Sequence, residues 1–128
     1  MIYDSVIHIY NNNHGIENHL ITELLNLKSK IMKTDIILAG VGGQGILSIA
    51  AALGSAALTN NLYMKQAETH GMSQRGGDVQ SYMRISDKPI FSDLIAKGTA
   101  DIILSVEPME ALRYLPYLKK GGYVVTNA

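Results

Sequence analysis

The sequence contains no cysteine, and this absence excludes several kinds of chemistry. Disulfides, thiolate zinc sites, a cysteine nucleophile and the usual ligation of an iron–sulfur cluster all require that residue. An excess of one charge is also missing, because 11 basic side chains balance 11 acidic ones and the pI is about 6.9. Such a balance offers no field to attract nucleic acid or an anionic membrane surface. Because cysteine is absent, any redox metal chemistry must reside on a partner.

The rest of the composition is that of a single globular domain. The chain has 128 residues, of which 47% are hydrophobic and 17% charged, and these values exclude a disordered or membrane-spanning protein. Asp4, His8 and the run Asn11–Asn13 interrupt any apolar stretch near the start. Because a secretory signal needs such a stretch, we expect a cytoplasmic protein.

The composition changes near residue 32. Residues 1–31 contain five asparagines, three of the four histidines and no alanine, whereas residues 32–128 contain all 11 alanines and 11 of the 12 glycines. Apolar residues at helical spacing predict a short amphipathic helix from Ile16 to Ile31. We interpret residues 1–31 as an N-terminal extension, or as the result of a misplaced start, and expect them to be dispensable for folding. No metal site is predicted, since no spacing fixes His8, His14 and His19 on one face.

From Thr34 onward, strand and helix patterns alternate. Strands are predicted at 35–39, 62–67, 79–85, 101–106 and 123–126, and helices at 46–59 and 108–114. Short apolar runs that end at glycines are typical of strands buried in a parallel sheet. The order predicts an α/β fold, a Rossmann-like three-layer sandwich with a parallel or mixed sheet. Three polar residues in the third strand indicate a face open to solvent or to a partner: Gln80, Ser81 and Arg84.

A glycine-rich segment joins the first of these strands to its helix. It reads Gly40-Val41-Gly42-Gly43-Gln44-Gly45 and fits the pattern G-x-G-x-x-G in the right context. Such glycines allow a tight turn and let a phosphate approach the free N–H groups of the helix. We expect Gly42→Val to disturb folding or assembly and Gly43→Ala to be milder. Glu68 follows at the end of the next predicted strand, where dinucleotide-binding folds place the acid that holds the ribose. Two interpretations stay open: a nicotinamide- or flavin-binding Rossmann module, and close helix–strand packing without a nucleotide.

The following loop combines many polar groups with glycines. It reads Ala67-Glu68-Thr69-His70-Gly71-Met72-Ser73-Gln74-Arg75-Gly76-Gly77 and lies between two predicted strands, where binding residues often occur. Together with the glycine-rich segment, it resembles the gamma-type subunits or domains of the 2-oxoacid:ferredoxin oxidoreductase family, in its indolepyruvate branch. The resemblance covers residues 32–128 and identifies them as a partial catalytic domain. Family members continue beyond the last predicted strand, so we expect a fold that is incomplete at the C terminus.

The resemblance implies an activity that is shared between subunits. It is the coenzyme A-dependent oxidative decarboxylation of indolepyruvate or another arylpyruvate to the acyl-CoA, with reduction of ferredoxin. Thiamine diphosphate and the iron–sulfur clusters are expected on a large partner subunit, and that location agrees with the absence of cysteine here. This chain is expected to support the active site without holding a cofactor alone.

Two residues of the polar loop are candidates for a direct role. The imidazole of His70 can donate a proton or anchor a carboxylate near neutral pH, or it can simply tie the loop by hydrogen bonds. The guanidinium of Arg75 can grip a carboxylate or the phosphates of coenzyme A. Alternatively, Arg75 pairs with Glu68 or Asp78, or contacts the partner subunit. A purely structural assembly role for the whole chain also stays open.

Overall fold

A computed structural model describes the backbone of residues 7–10 and the residues 33–71 and 76–127 in full. The elements, in chain order, are β1 (Ile7–Tyr10), β2 (Lys33–Val41), α1 (Ile46–Thr59), β3 (Tyr63–His70), β4 (Asp78–Ser86), β5 (Ala100–Ser105), α2 (Pro108–Tyr114), a 3-10 turn (Leu115–Tyr117) and β6 (Leu118–Asn127). Every strand predicted between residues 35 and 126 is present. Four of them agree within three residues at each end, whereas β6 begins at Leu118, five residues before its predicted start. Both described α-helices begin and end at the predicted residues.

The strands form one mixed sheet in the order β1-β6-β5-β2-β4-β3. The first four in this order are mutually parallel, whereas β4 runs antiparallel to both of its neighbours, β2 and β3. The sheet is thus the mixed form of the predicted α/β class. Its centre is β2, which pairs with β5 on one side and β4 on the other.

The two helices cover opposite faces of the sheet, as predicted for three layers. Ile46, Ala50 and Leu53 of α1 pack on the face that carries Ile36 and Leu38. Ala111 and Tyr114 of α2 pack on the other face, which carries Ile37 and Ile103. Since consecutive strand residues alternate between faces, β2 must be apolar on both sides, and Ile36, Ile37 and Leu38 are fully buried.

The open face predicted for the strand now labelled β4 is confirmed only in part, because Gln80 and Arg84 share one half-buried face and Ser81 lies on the other. This strand lies inside the sheet, and its Ser81 is fully buried. Arg84 extends along the sheet surface, where its Nε donates to Oδ1 of the buried Asp35 at 2.9 Å. Its Nη1 donates to the carbonyls of Ser92 and Leu94, which fix the following loop. Ser81 and Arg84 are therefore compensated by internal partners, whereas the buried Oε1 of Gln80 has no hydrogen-bond partner among the described residues.

Part of the N-terminal extension joins the sheet. Ile7–Tyr10 forms β1 at the edge beside β6, with Ile7 opposite Val124 and Tyr10 opposite Asn127. The helix predicted over Ile16–Ile31 lies outside the described residues. In the part of the chain that the structure describes, no helix is long and apolar enough to cross a membrane.

Candidate functional site

The glycine loop, defined here as Gly42–Gly45, lies at a point where the chain leaves the sheet in two directions. The parallel neighbours β2 and β5 end at the same edge. After β2 the chain enters α1 on one face, and after β5 it enters α2 on the other. In open α/β sheets, the crevice at such a switch point is the usual ligand site.

The side chain of Gln44 spans this crevice. Its Oε1 accepts a hydrogen bond from the N–H of Val41 at 2.8 Å, which holds the loop closed on itself. Its Nε2 donates to Oε1 of Glu107 at 2.8 Å. Glu107 directly precedes α2, and its own N–H donates to Oγ of Ser105. The glycine loop is thus tied to the start of α2 through one amide.

This bridge does not fit a bound dinucleotide. A pyrophosphate in the crevice would lie beside the Glu107 carboxylate and would have to displace the Gln44 amide. Because two negative charges repel strongly in a partly buried site, the electrostatics disfavour that ligand. Gly40 has a sufficient packing reason, since a Cβ there would lie 2.7 Å from Cδ1 of Ile46. The interpretation as close helix–strand packing is therefore favoured.

In the glycine loop, Gly43 and Gly45 rather than Gly42 adopt a backbone conformation that requires glycine. Gly43 and Gly45 have φ values of 92° and 81°, in the region that L side chains rarely adopt, and Gly42 does not. The expectation that Gly43→Ala is milder than Gly42→Val rested on the motif alone, without this φ value of Gly43. Gly42 instead donates its backbone N–H to the carbonyl of Gly77 at 2.9 Å.

That hydrogen bond joins the glycine loop to the polar loop between β3 and β4. The two strands form an antiparallel pair, and the N–H of Gly71 closes it by donating to the carbonyl of Asp78 at 2.8 Å. Because β3 runs in the same direction as β2, both loops lie at the carboxyl edge of β2. Arg75 lies outside the described residues, as do Met72, Ser73 and Gln74.

His70 and Glu68 meet at the end of β3. They alternate along the strand, so their side chains share the face covered by α1, and Nε2 of His70 contacts Oε1 of Glu68. The side chains of His70 and Glu68 are 54% and 26% exposed. Gln66, the next residue on this face, donates to Oγ of Ser81 at 3.0 Å. The end of β3 thus presents an imidazole and a carboxylate together.

The geometric reason given for Glu68 as a ribose ligand is wrong. A dinucleotide fold needs the acid on the parallel strand next to the central one, but β4 separates β3 from β2. Glu68 lies opposite Ser81, and Ser81 lies opposite Leu38. Two strand spacings, about 10 Å, therefore separate Glu68 from β2.

A further pair at this edge was not identified from the sequence. The hydroxyl of Tyr114, in α2, donates to the Asp78 carboxylate at 2.8 Å from Oδ2. Burial, and then the hydrogen bond to Asp78, raise the pKa of Tyr114 well above its usual range. Asp78 opens β4 directly after Gly76–Gly77 and lies opposite Val41. An acid at the start of an interior strand is a signal for such a buried partner.

The site is therefore one polar edge built from three segments. Three hydrogen-bonded bridges connect the glycine loop, the β3–β4 hairpin and α2: Gly42 with Gly77, Gln44 with Glu107, and Asp78 with Tyr114. Among the described residues, no three His, Asp or Glu side chains form a group that could hold a metal ion. The chain also has no thiolate for an iron–sulfur cluster. Among the described residues, the imidazole of His70 and the neighbouring carboxylate of Glu68 can hold or move a proton at this edge.

An α/β subunit with a polar edge at its central strand matches known proteins. The pattern of the pyruvate ferredoxin/flavodoxin oxidoreductase family covers residues 35–128, and the chain belongs to this family. The indolepyruvate oxidoreductase subunit IorB of Pyrococcus horikoshii is 53% identical over 94 residues, which are 73% of this chain and 46% of that protein. The corresponding subunit of Thermococcus kodakarensis is 52% identical over the same shares of both chains.

The chain is also similar to the solved structure of a gamma subunit. The gamma subunit of a keto/oxoacid ferredoxin oxidoreductase from Geobacter sulfurreducens is 27% identical, with a TM-score of 0.57 over 73% of this chain and 50% of that one. The resemblance to gamma-type subunits found in the sequence is thus confirmed. The chain spans about half the length of the curated relatives that it matches.

Proposed function

We propose that the chain is the small subunit of a 2-oxoacid:ferredoxin oxidoreductase that acts on indolepyruvate or another arylpyruvate. The reaction is the coenzyme A-dependent oxidative decarboxylation of the 2-oxoacid, with ferredoxin as the electron acceptor. Relatives at 52–53% identity carry the name indolepyruvate oxidoreductase subunit, and this supports the substrate class. The family rests on the match over residues 35–128, and the type of subunit rests on the relatives and on the solved gamma subunit.

The observation that carries the proposal is the hydrogen bond from Gly42 to Gly77. It joins the two sequence motifs of the family resemblance into a single polar edge. A lone domain has no evident need for a half-exposed His70 in contact with Glu68 beside such a junction. Exposed polar loops on a rigid sheet are where binding residues concentrate. We propose that this edge forms part of the active-site wall or of the seam with the large subunit.

Cofactor chemistry belongs to the large subunit in this proposal. Thiamine diphosphate and the clusters supply the decarboxylation and the electron transfer there when they are bound, since this chain lacks a ligand set for a cluster. Residues of this chain position groups beside that centre. His70, oriented by Glu68, holds or moves a proton, and Arg75 binds an anionic group of the 2-oxoacid or of coenzyme A.

Reconstitution with the large subunit of the same organism tests these roles. We expect His70→Ala and Arg75→Ala to lower arylpyruvate turnover at least tenfold, a loss of about 1.4 kcal/mol in transition-state stabilisation. The melting temperature of the isolated His70→Ala chain is expected to change little, because its imidazole is half-exposed. Lys65→Ala is the matched control, since Lys65 is exposed on the same strand but points to the opposite face.

The outcomes separate three interpretations of the edge. Normal assembly with tenfold slower turnover supports an active-site role. Failure of the variants to assemble assigns the residues to the seam between subunits, as guanidinium groups in particular favour buried interface contacts. Normal assembly with wild-type rates for every 2-oxoacid offered contradicts both roles and leaves a structural loop.

The alternative, a nicotinamide- or flavin-binding module, predicts a different result. A nucleotide at about 100 times its Kd would stabilise the chain by about 2.7 kcal/mol, which a melting experiment detects easily. Because the Gln44–Glu107 bridge closes the crevice, we expect no shift with NAD or FAD.

A further inference from the structure

Among the described residues, the outer edge of β3 is a strand edge without a partner strand. β3 is the last strand of the sheet, and no other strand among the described residues pairs with its outer side. Its eight residues contain no proline, and its register against β4 runs without a bulge from Tyr63 to His70. Natural proteins usually protect such edges with prolines, bulges, several charges or short strands, and Lys65 is the only lysine or arginine on β3.

The ladder determines which backbone groups point outward. Gly71 donates its N–H to Asp78, and hydrogen-bonded pairs alternate with non-bonded pairs along an antiparallel ladder. The odd-numbered residues of β3 therefore direct their N–H and C=O groups to β4. The even-numbered residues direct theirs outward: Met64, Gln66, Glu68 and His70.

We propose that this edge pairs with the β3 edge of a second copy of the chain, antiparallel about a two-fold axis at Ala67. The two six-stranded sheets would then form one continuous sheet. Met64 of each copy lies opposite His70 of the other, and Gln66 lies opposite Glu68. With two hydrogen bonds for each hydrogen-bonded pair, the contact supplies about eight backbone hydrogen bonds.

The chemistry of the strand favours a second copy in this register. Pairing about Ala67 uses all four outward-facing residues on both chains, and the amide of Gln66 meets the carboxylate of Glu68. A shift that puts the axis at Glu68 would place two carboxylates directly opposite each other, which is unfavourable. A shift to an axis at Gln66 would leave His70 opposite Leu62, beyond the strand.

This contact reaches the candidate site without covering it. Strand pairing occupies the edge of β3, whereas the side chains of Glu68 and His70 project from the face. Gln66 of the second copy becomes a cross-strand neighbour of Glu68. Each site would thus receive one polar side chain from the other copy, a feature independent of the substrate proposed above.

Cysteine cross-linking of the full chain tests the contact and its register together, because the natural sequence has no cysteine. Ala67→Cys places one thiol on each side of the axis, in a non-hydrogen-bonded pair with Cα atoms about 4.5 Å apart, within the range for a disulfide. We expect most of this variant to form a covalent dimer under mild oxidation. Thr69→Cys alone should stay monomeric on a denaturing gel, since each residue 69 lies opposite residue 65.

A mixture of two variants checks the register without the axis residue. Lys65→Cys and Thr69→Cys are expected to cross-link to each other and not to themselves. Gln66→Pro removes an outward N–H without touching the ladder to β4, so sedimentation of this variant should give a monomer where the wild type and Gln66→Ala give a dimer. A monomeric wild type over the whole concentration range, or a dimer without the cross-link at residue 67, overturns the proposal. So does a large subunit that competes the cross-link away completely.

Discussion

The side-chain amide of Gln44 donates to the Glu107 carboxylate at 2.8 Å, across the gap between the carboxyl ends of β2 and β5. The same side chain accepts the N–H of Val41, so one residue closes the glycine loop and fastens it to α2. The glycine pattern is typical of phosphate binding, but in this chain the Gln44 side chain crosses the crevice and binds the negatively charged Glu107. This explains how the chain keeps the pattern without the geometry of a nucleotide site.

Exchange of the two bridge partners tests their interaction. Gln44→Glu places two carboxylates together and should lower the free energy of unfolding by about 1.5–3 kcal/mol, the range for hydrogen bonds with charged groups. The double variant Gln44→Glu with Glu107→Gln restores a donor and an acceptor, and we expect most of the loss to be recovered. Urea unfolding of the wild type, Gln44→Glu, Glu107→Gln and the double variant measures this coupling. Additive effects of the two changes would contradict a direct bridge.

Substitutions in the glycine loop should follow the backbone geometry. Gly43→Ala is expected to cost about 1–2 kcal/mol, because an L residue is disfavoured at a φ of 92°. Gly42→Ala should cost less, since its backbone is not in that region. Thermal unfolding of both variants gives the order, and equal costs would contradict the geometry described.

A separate packing effect is expected at Gly40. Its replacement by alanine places a Cβ 2.7 Å from Cδ1 of Ile46, and overpacking of this kind costs about 1–3 kcal/mol. Cγ1 of Ile46 would lie 2.8 Å from the same Cβ, so both atoms must be removed to relieve the contact. Ile46→Ala removes both, and we expect the double variant to lose less stability than the sum of the two single variants. Additive losses would argue against this contact.

Alkaline pH should destabilise the protein through its buried tyrosines. Burial, followed by the hydrogen bond with Tyr117 and its charge, raises the pKa of Tyr82 from 10.0 to about 12. The unfolded state therefore loses this proton at a lower pH than the folded state does. The stabilisation is complete below about pH 10 and is lost as the pH rises toward about 12. Unfolding of Tyr82→Phe in urea over this range should show a shallower decline than the wild type; an equally steep decline would contradict it.

Removal of residues 1–31 should have a limited cost. The structure assigns Ile7–Tyr10 to a four-residue strand at the sheet edge, and each of its few hydrogen bonds contributes about 1 kcal/mol net. A chain that begins at Met32 is expected to lose about 2 kcal/mol or less. A larger loss in chemical denaturation would show that the extension belongs to the core of the domain.

Most of the secondary structure could be predicted from local patterns in the sequence. The apolar run at Ile36–Leu38 and the uncharged segment of α1 indicate buried elements directly, so the predicted strands and helices are confirmed. The strand order could not be predicted from local patterns, because it depends on contacts between distant residues. The antiparallel strand β4 separates Glu68 from β2, and no periodicity in the sequence reveals this.

The candidate site was also predictable only in part. The motifs predicted that the glycine loop and the polar loop matter, and the hydrogen bond from Gly42 to Gly77 unites them. The partners Glu107 and Tyr114 come from a segment more than 30 residues away, so the spacing of the motifs does not identify them. His70 and Arg75 keep their proposed roles as predictions.

The most direct test measures ferredoxin reduction by the large subunit with and without this chain. With indolepyruvate and coenzyme A supplied, we predict that the rate is negligible for the large subunit alone and rises with added chain until the two are equimolar. The same preparation with His70→Ala should reach at most one tenth of that rate. A large subunit that oxidises the arylpyruvate at its full rate without the chain would contradict the proposed function.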